Sequence, residues 1–192
     1  MARAATPASI VRTAHEAIGR RLSAVYPVNE LTPASQVVRR GSGSCSQRFA
    51  VLEAIARSFG IRTRVRGLLV DGGYWNGRFP RLAGLIPHQV VIAWPEFLVD
   101  GAWLDTSALF EDCESGCAGW FLNSGPSTLF DAARDHRLEW GSSASDDGSG
   151  GVARVDLGYF TDRDGLFAAV GQTLCMPAAL TADLVLRRRA AA

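Results

Sequence analysis

The 192-residue sequence predicts an α+β domain in which a helix beginning at Cys45 packs on an antiparallel sheet. Three observations lead to this prediction. Apolar residues recur at helical spacing from Phe49 to Phe59, and Gly60 favours the end of that helix. The next segment, "IRTRVRG" at 61–67, alternates strictly between β-branched and basic residues, which indicates a strand. Two more strand-like segments follow, "HQVVIAW" and "VDGAWLD".

The remaining segments are assigned in the same way. The first 25 residues have apolar positions at helical spacing and no continuous apolar core, which indicates an amphipathic helix and not a signal peptide. A glycine- and proline-rich loop at 71–87 carries Tyr74 and Trp75. The other predicted elements are a short helix near Thr32, a helix near 126–137, a mobile loop at about 141–151, a strand at 152–160 and a helix near 163–173.

Length and composition bound the possible functions. With 47% hydrophobic residues, the chain can bury one core, so we predict a single domain over 1–192 with its motif-bearing part at about 32–107. The net charge of +1 gives no sign of a nucleic-acid or membrane partner. Every basic residue is arginine, which excludes lysine chemistry. We expect a soluble, cytoplasmic protein with reduced cysteines.

Cys45 is the candidate nucleophile. It follows "GSGS" at the predicted start of a helix, where unpaired N–H groups and the helix dipole stabilise a thiolate. The preceding glycines let a carbonyl approach, and the Cys45 N–H could stabilise an oxyanion. The alternative is a buried cysteine without a chemical role, which is the usual fate of this residue type.

A nucleophilic thiol needs a base, and the chain has three histidines. His15 is expected on the exposed side of the first helix and His136 in the charged segment "RDHR", so both are predicted to be solvated. His88 opens a strand directly after a loop, where its side chain can face a cleft. It is the candidate base.

Asp105 is the candidate orienting residue, and its position depends on the register. If the chain reverses at "WPEF", His88 pairs with Asp105 across neighbouring strands and Gly101 forms a bulge. If it reverses at Asp100-Gly101, Asp105 pairs with Glu96 instead, about 26 Å along the strand from the histidine at ~3.3 Å per residue. We predict the first register, because it completes a nucleophile, base and orienter.

Three segments in this order resemble the transglutaminase-like superfamily of cysteine enzymes, which share the papain-like fold: "GSCSQRFAVLEAIARSFGIRTRVRG", "HQVVIAW" and "GAWLDTS". The resemblance implies Cys45 as nucleophile, His88 as general base and acid, and Asp105 as orienting residue. It also implies a thioester acyl-enzyme, without a metal or organic cofactor. Gln36 or Tyr26 is a candidate second oxyanion donor.

The resemblance implies acyl transfer from an amide, ester or thioester of a small molecule, a peptide or a carrier. Water as acceptor makes an amidase or peptidase, and an amine makes an amide-forming transferase. A catalytically inactive binding module is the alternative, because Gln89 and Thr106 stand where the family often has an aromatic residue and a proline.

Substrate selection is assigned to the aromatic loop, at Tyr74 and Trp75, and to the basic face of the strand at 61–67. That face could instead be the solvent-facing side of a sheet. Its members are Arg62, Arg64 and Arg66.

The other cysteines offer a possible zinc site. Cys113 and Cys117 have the spacing C-x3-C, with His136 and Cys175 further along the chain. Such widely spaced partners form a weak zinc signature, so we predict no metal site.

Overall fold

The computed structural model describes residues 5–27, 29–110, 118–138, 140 and 153–172. Helices and strands in these ranges surround one four-stranded sheet. The helices are α1 (Pro7–Arg21), α2 (Ala34–Arg40), α3 (Cys45–Ser58), α4 (Leu129–Asp135) and α5 (Arg163–Val170). The strands are β1 (Ser23–Ala24), β2 (Ser42–Gly43), β3 (Thr63–Asp71), β4 (Gln89–Val99), β5 (Ala102–Asp105), β6 (Ala118–Trp120), β7 (His136–Arg137) and β8 (Ala153–Phe160).

The main sheet has the strand order β5-β4-β3-β8, and all three pairings are antiparallel. β3 and β4 pair without interruption from Thr63 opposite Phe97 to Asp71 opposite Gln89. The long loop between these strands therefore leaves and re-enters the sheet at the same end. The prediction of an α+β domain with a helix on an antiparallel sheet is confirmed.

The main core lies between the helices and one face of the sheet. Phe49 of α3 packs edge-on against Trp94 of β4, with ring centroids 5.2 Å apart, and also contacts Phe130 of α4. On the opposite face, Leu166 of α5 belongs to a smaller buried cluster with Val65. Side chains of successive strand residues point to opposite faces, so β3 contributes to both clusters.

The β4–β5 register differs from the prediction. The two strands are joined by a tight turn at Asp100-Gly101, whose φ values of 50° and 86° are those of a hairpin turn with both central residues left-handed. Asp105 therefore lies opposite Glu96. The predicted pairing of His88 with Asp105 is wrong, and Gly101 belongs to the turn and not to a bulge.

The reason lies in how β4 pairs with β3. β4 passes straight through Pro95, which lies opposite Val65 of β3. The pairing of β4 with β5 ends at Glu96, one residue after Pro95. Proline has no N–H to donate, but at this position no hydrogen bond to β5 is lost. Continuous pairing with β3 therefore outweighed the turn preference of Pro95.

Candidate active site

A short parallel pairing positions the start of α3. Gly41 ends α2 with a left-handed φ of 69°, and the chain then pairs β2 with β1. A Cβ at Gly43 would lie 2.8 Å from Val37 Cγ1, so only glycine fits there without displacement. Ser44 then caps α3 in a capping box with Gln47. Cys45 is the first residue of the helix, as predicted.

The pairing of β1 with β2 also brings Tyr26 towards Cys45. The N–H of Val25 donates to Gly43 O at 3.1 Å, so the following residue, Tyr26, runs beside the start of α3. Burial raises the pKa of Tyr26, and the nearby Cys45 sulfur adds to the increase. The structure thus places Tyr26 next to the candidate nucleophile. Gln36, the other candidate oxyanion donor, is exposed on α2.

The Cys45 side chain is half-buried, and its surroundings oppose ionisation of the thiol. Burial raises the pKa of Cys45 to about 12, and the Glu30 carboxylate adds to the increase. The Ser46 N–H at the sulfur and the charges of Arg48 and Arg78 oppose it without overcoming it. The helix start thus lowers the pKa of Cys45, as expected, but burial raises it more, and the reactivity of the thiol stays a prediction.

Glu30 is linked to the helix start through a side-chain hydrogen bond. Ser44 Oγ donates to Glu30 Oε2 at 2.6 Å, one residue before Cys45. The neighbouring Asn29 carbonyl accepts from Gln47 Nε2 at 2.8 Å. Burial raises the pKa of Glu30 to about 7, against the opposing effects of Ser44 and two arginines. A carboxylate that titrates near neutrality thus lies beside the thiol.

The loop between β3 and β4, residues 72–87, covers this region, and we call it the covering loop. Its aromatic residues Tyr74 and Trp75 pack against the main core. Tyr74 Oη donates to Phe121 O at 3.3 Å, and Asn123 Nδ2 donates to Tyr74 O at 3.1 Å. Burial raises the pKa of Tyr74, with Cys45 again contributing to the increase. The loop is therefore pinned to the 121–127 segment beside the nucleophile.

Arg78 completes the attachment of the covering loop. Its Nε donates to Asn123 Oδ1 at 2.9 Å, and its terminal amino group donates to the Ser127 carbonyl. The guanidinium also lies over the Tyr26 ring, 5.6 Å from the centroid. Arg78 was not identified from the sequence, and no motif marks it.

His88 lies at the base of the covering loop with an exposed side chain. Its carbonyl accepts from Gly72 N at 2.9 Å, which closes the loop at the end of the sheet. Among the described residues, the His88 side chain makes no hydrogen bond, ion pair or ring contact with Cys45 or Asp105. The described contacts therefore do not assemble a triad from the three predicted residues.

Asp105 caps the turn at the end of β5. Its Oδ1 accepts from Ala108 N at 2.9 Å. It lies opposite Glu96, which at ~3.3 Å per residue is about 26 Å along β4 from His88. A carboxylate at that distance does not orient the imidazole.

The other two histidines are only partly as expected. His15 is 2% exposed, stacks on Phe130 at a centroid distance of 4.1 Å, and its Nε2 lies 2.7 Å from Phe130 O. The prediction that His15 is solvated is wrong, because α4 packs over it, and burial lowers its pKa to about 4. His136 is half-buried, with its ring 5.5 Å from Phe121.

The three sheet arginines lie among acidic and aromatic partners. Arg64 Nε donates to Glu96 Oε2 at 2.7 Å, and Arg66 Nη2 donates to Asp156 Oδ2 at 2.7 Å. Arg62 lies over the Trp103 ring, 5.9 Å from the centroid. Other residues of the sheet thus already engage these side chains, and their role in substrate binding stays a prediction.

Four residues around the start of α3 were not identified from the sequence: Glu30, Gln47, Arg48 and Arg78. Gln47 could have been found, because "SCSQ" has the spacing of a capping box. Glu30 and Arg78 reach the site only through tertiary contacts, which leave no local signal. Within the described ranges, no group of three His, Cys, Asp or Glu side chains is placed to hold a metal ion. The possible zinc ligands Cys113, Cys117 and Cys175, and the predicted loop at 141–151, lie outside the described residues.

No helix in the described part of the chain is long and apolar enough to span a bilayer. Comparison with curated proteins found no match. Comparison with solved structures found none either. A family model described as the transglutaminase-like superfamily matches residues 1–108, which include the start of α3, β3, β4 and β5. With more than half of its length matched, the chain belongs to the transglutaminase-like superfamily.

Proposed function

We propose that the protein catalyses cysteine-dependent acyl transfer or hydrolysis, with Cys45 forming a thioester acyl-enzyme. One observation carries the proposal: Cys45 is the first residue of α3, with the Ser46 N–H at its sulfur, in a chain of the transglutaminase-like superfamily. Helix-start N–H groups stabilise both a thiolate and the negative charge that develops on an attacked carbonyl.

The proposed reaction begins when the Cys45 thiol loses its proton to a base. The sulfur then bonds to the carbonyl carbon, and the leaving group departs with a proton returned by the base. His88 is the proposed base and acid. The Cys45 N–H and the Tyr26 hydroxyl are the proposed oxyanion donors. Water or an amine then attacks the thioester, releases the acyl group and restores the thiol.

Opening of the covering loop is a necessary part of this mechanism. With the covering loop in its present position the pKa of the Cys45 thiol is raised, and no contact among the described residues joins the thiol to His88. The loop begins directly after β3 and ends at His88. A shift of Tyr74 and its neighbours that admits an acyl donor would therefore also move the imidazole. The donor is a small molecule, a peptide or a carrier-bound acyl group.

A catalytically inactive binding module is the second candidate. The observation that favours it is the register of β4 and β5, which keeps Asp105 from orienting His88. The raised pKa of Cys45 is a further argument, because a protonated thiol is a poor nucleophile.

Reaction with p-nitrophenyl acetate separates the two candidates. The proposal predicts a burst of p-nitrophenolate close to one equivalent, followed by slower turnover, as expected when deacylation limits the rate. Cys45→Ser should abolish the burst, and His88→Ala should slow it by about 100-fold or more. Cys175→Ser and His136→Ala are the matched controls and should leave the burst unchanged.

A burst that persists in Cys45→Ser would contradict the proposal. So would a Cys45 no more reactive towards the ester than a small free thiol at the same pH. The protein would then be interpreted as a binding module.

A further inference from the structure

Arg78 is a half-buried arginine that is attached to the fold through neutral groups. Its two described hydrogen bonds go to neutral acceptors, Asn123 Oδ1 and the Ser127 carbonyl. They engage two of the five N–H groups of a guanidinium. The flat face lies over the Tyr26 ring. None of these contacts neutralises the positive charge.

Four of the other arginines with buried or half-buried side chains have carboxylate partners, whereas the half-buried Arg12 donates to the Leu109 carbonyl. Arg48 pairs with Asp131 at 2.9 Å, and Arg163 pairs with Asp164 at 2.9 Å. The sheet arginines at positions 64 and 66 are paired as described above. For Arg78, in the ranges of the chain that the structure describes, no carboxylate lies within ion-pair distance. A charge removed from much of its water usually requires an opposite charge, so the missing partner points to a ligand.

Arg78 is also close enough to act on Cys45. Its positive charge lowers the pKa of the Cys45 thiol, as does that of Arg48, which is already engaged by Asp131. The amino-terminal end of α3, a helix of 14 residues, contributes partial positive charge at the same place. A negative group arriving beside the sulfur would therefore meet two independent positive features, together with Glu30, whose pKa burial raises to about 7.

We propose that Arg78 is a specificity-determining residue that binds a carboxylate of the acyl donor beside the carbonyl attacked by Cys45. A planar guanidinium matches a carboxylate with two parallel hydrogen bonds, which fixes the orientation of the donor as well as its charge. The substrate part of this proposal rests on the proposed acyl-transfer function. The preference of Cys45 for anionic reagents does not depend on that function, because alkylation of the thiol requires no catalytic turnover.

Two alkylating reagents of similar size test this preference. Iodoacetate carries a carboxylate next to the reacting carbon, and iodoacetamide carries a neutral amide in the same place. In both reactions the Cys45 sulfur bonds to the CH₂ carbon and iodide leaves. The rate of each is measured on the Cys45 peptide by mass spectrometry. Their ratio cancels the thiolate fraction and the accessibility of the sulfur, which affect both reagents equally.

The iodoacetate-to-iodoacetamide ratio should fall about fivefold in Arg78→Gln, the effect of one charge a few ångströms away in a mostly aqueous medium. Arg78→Lys should keep most of the ratio. Arg21→Gln, a matched loss of an exposed arginine at the end of α1, should leave it at the wild-type value. If Arg78→Gln loosens the covering loop, both rates rise and the ratio still reports the charge.

Salt provides a second measurement on the unaltered protein. The wild-type ratio should decline as ionic strength rises from 0.02 to about 1 M, because screening weakens the attraction between a guanidinium and a reagent carboxylate. A ratio that is equal in wild type and Arg78→Gln, or independent of salt in wild type, would overturn the proposal. The iodoacetate-to-iodoacetamide ratio could fall in Arg78→Gln as expected while wild type gives no p-nitrophenyl acetate burst. That result would support the anion site at Arg78 and contradict only the proposed catalysis.

Discussion

Two arginine environments in this molecule differ in how the positive charge is balanced. On the sheet, Arg64 pairs with Glu96 and lies between the Trp103 and Tyr159 rings, at 4.4 and 3.7 Å from their centroids. Beside the nucleophile, Arg78 has two neutral acceptors and one ring. The Glu96 carboxylate balances the charge of Arg64. None of the described partners of Arg78 is negatively charged, so its guanidinium could pair with an anionic ligand, as proposed above.

The acidic residues show the same contrast. On the sheet, the hydrogen bond from Arg66 holds the pKa of Asp156 below its usual range. Beside Cys45, burial raises the pKa of Glu30 to about 7, and the arginines that face it, Arg163 and Arg40, do not compensate. The charged form is thus stabilised for Asp156 on the sheet and destabilised for Glu30 beside Cys45. This difference separates a structural ion-pair network from a site that can change its protonation state.

The largest stability effect is expected on the sheet. Arg64→Met leaves the buried carboxylate of Glu96 without its partner, and should lower the free energy of unfolding by about 2–3 kcal/mol, less than a fully buried pair because Arg64 is partly exposed. Urea unfolding measures the loss. Arg64→Met combined with Glu96→Leu should recover most of it. The reagent ratio at Cys45 should not change in either variant, and a change would break the contrast between the two regions.

A smaller, pH-dependent effect is expected at Glu30. Burial raises the pKa of the Glu30 carboxyl to about 7 in the folded protein, from an ordinary value of 4.5 in the unfolded chain. The folded state therefore binds the proton more tightly, and protonation of Glu30 favours folding. Its contribution to stability should be full below about pH 4.5 and lost as the pH rises to about 7. Glu30→Gln should therefore be more stable than wild type above pH 7, by on the order of 2 kcal/mol, and equal to it at pH 4.5.

The same variant should react faster at the sulfur. The Glu30 charge raises the pKa of Cys45, so its removal should increase alkylation by iodoacetamide above pH 7. Ser44 keeps an acceptor in Glu30→Gln, which makes the change mainly electrostatic. Equal stability and equal alkylation in both proteins at pH 8 would show that Glu30 lies in water and is not coupled to the thiol.

The smallest effect is expected at Asp105. Asp105→Asn keeps the acceptor for Ala108 N, so the free energy of unfolding should change by no more than about 0.5 kcal/mol. Because Asp105 lies opposite Glu96 and far along β4 from His88, the p-nitrophenyl acetate burst should stay within about twofold of wild type. A loss of 100-fold or more would mean that the active enzyme uses another register of β4 and β5.

The parts of the fold that could be predicted from sequence are those with local signals. The start of α3 at Cys45 follows from the glycine and serine residues before it and from the Ser44–Gln47 capping box. The end near Gly60 follows from the left-handed φ of 76° that glycine tolerates there. In both cases the residues that decide the structure are neighbours in the chain.

The register of β4 and β5 could not be predicted because two turn signals competed. Pro95 and Asp100-Gly101 both favour a reversal, and the choice was made by pairing with β3, a strand more than twenty positions earlier. The burial of His15 under Phe130 and the approach of Arg78 to Cys45 likewise depend on distant segments. Chemistry at the site is therefore set by contacts that no short motif records.

Detection of the acyl-enzyme shows directly whether Cys45 is the nucleophile. Wild type and Cys45→Ser are treated with p-nitrophenyl acetate, quenched in acid, digested and analysed by mass spectrometry. An acetyl group is expected on the Cys45 peptide of the wild type, removed by neutral hydroxylamine as expected for a thioester, and no acetyl group is expected on that peptide in Cys45→Ser. Acetylation elsewhere in the chain with an unmodified Cys45 would contradict this role of Cys45.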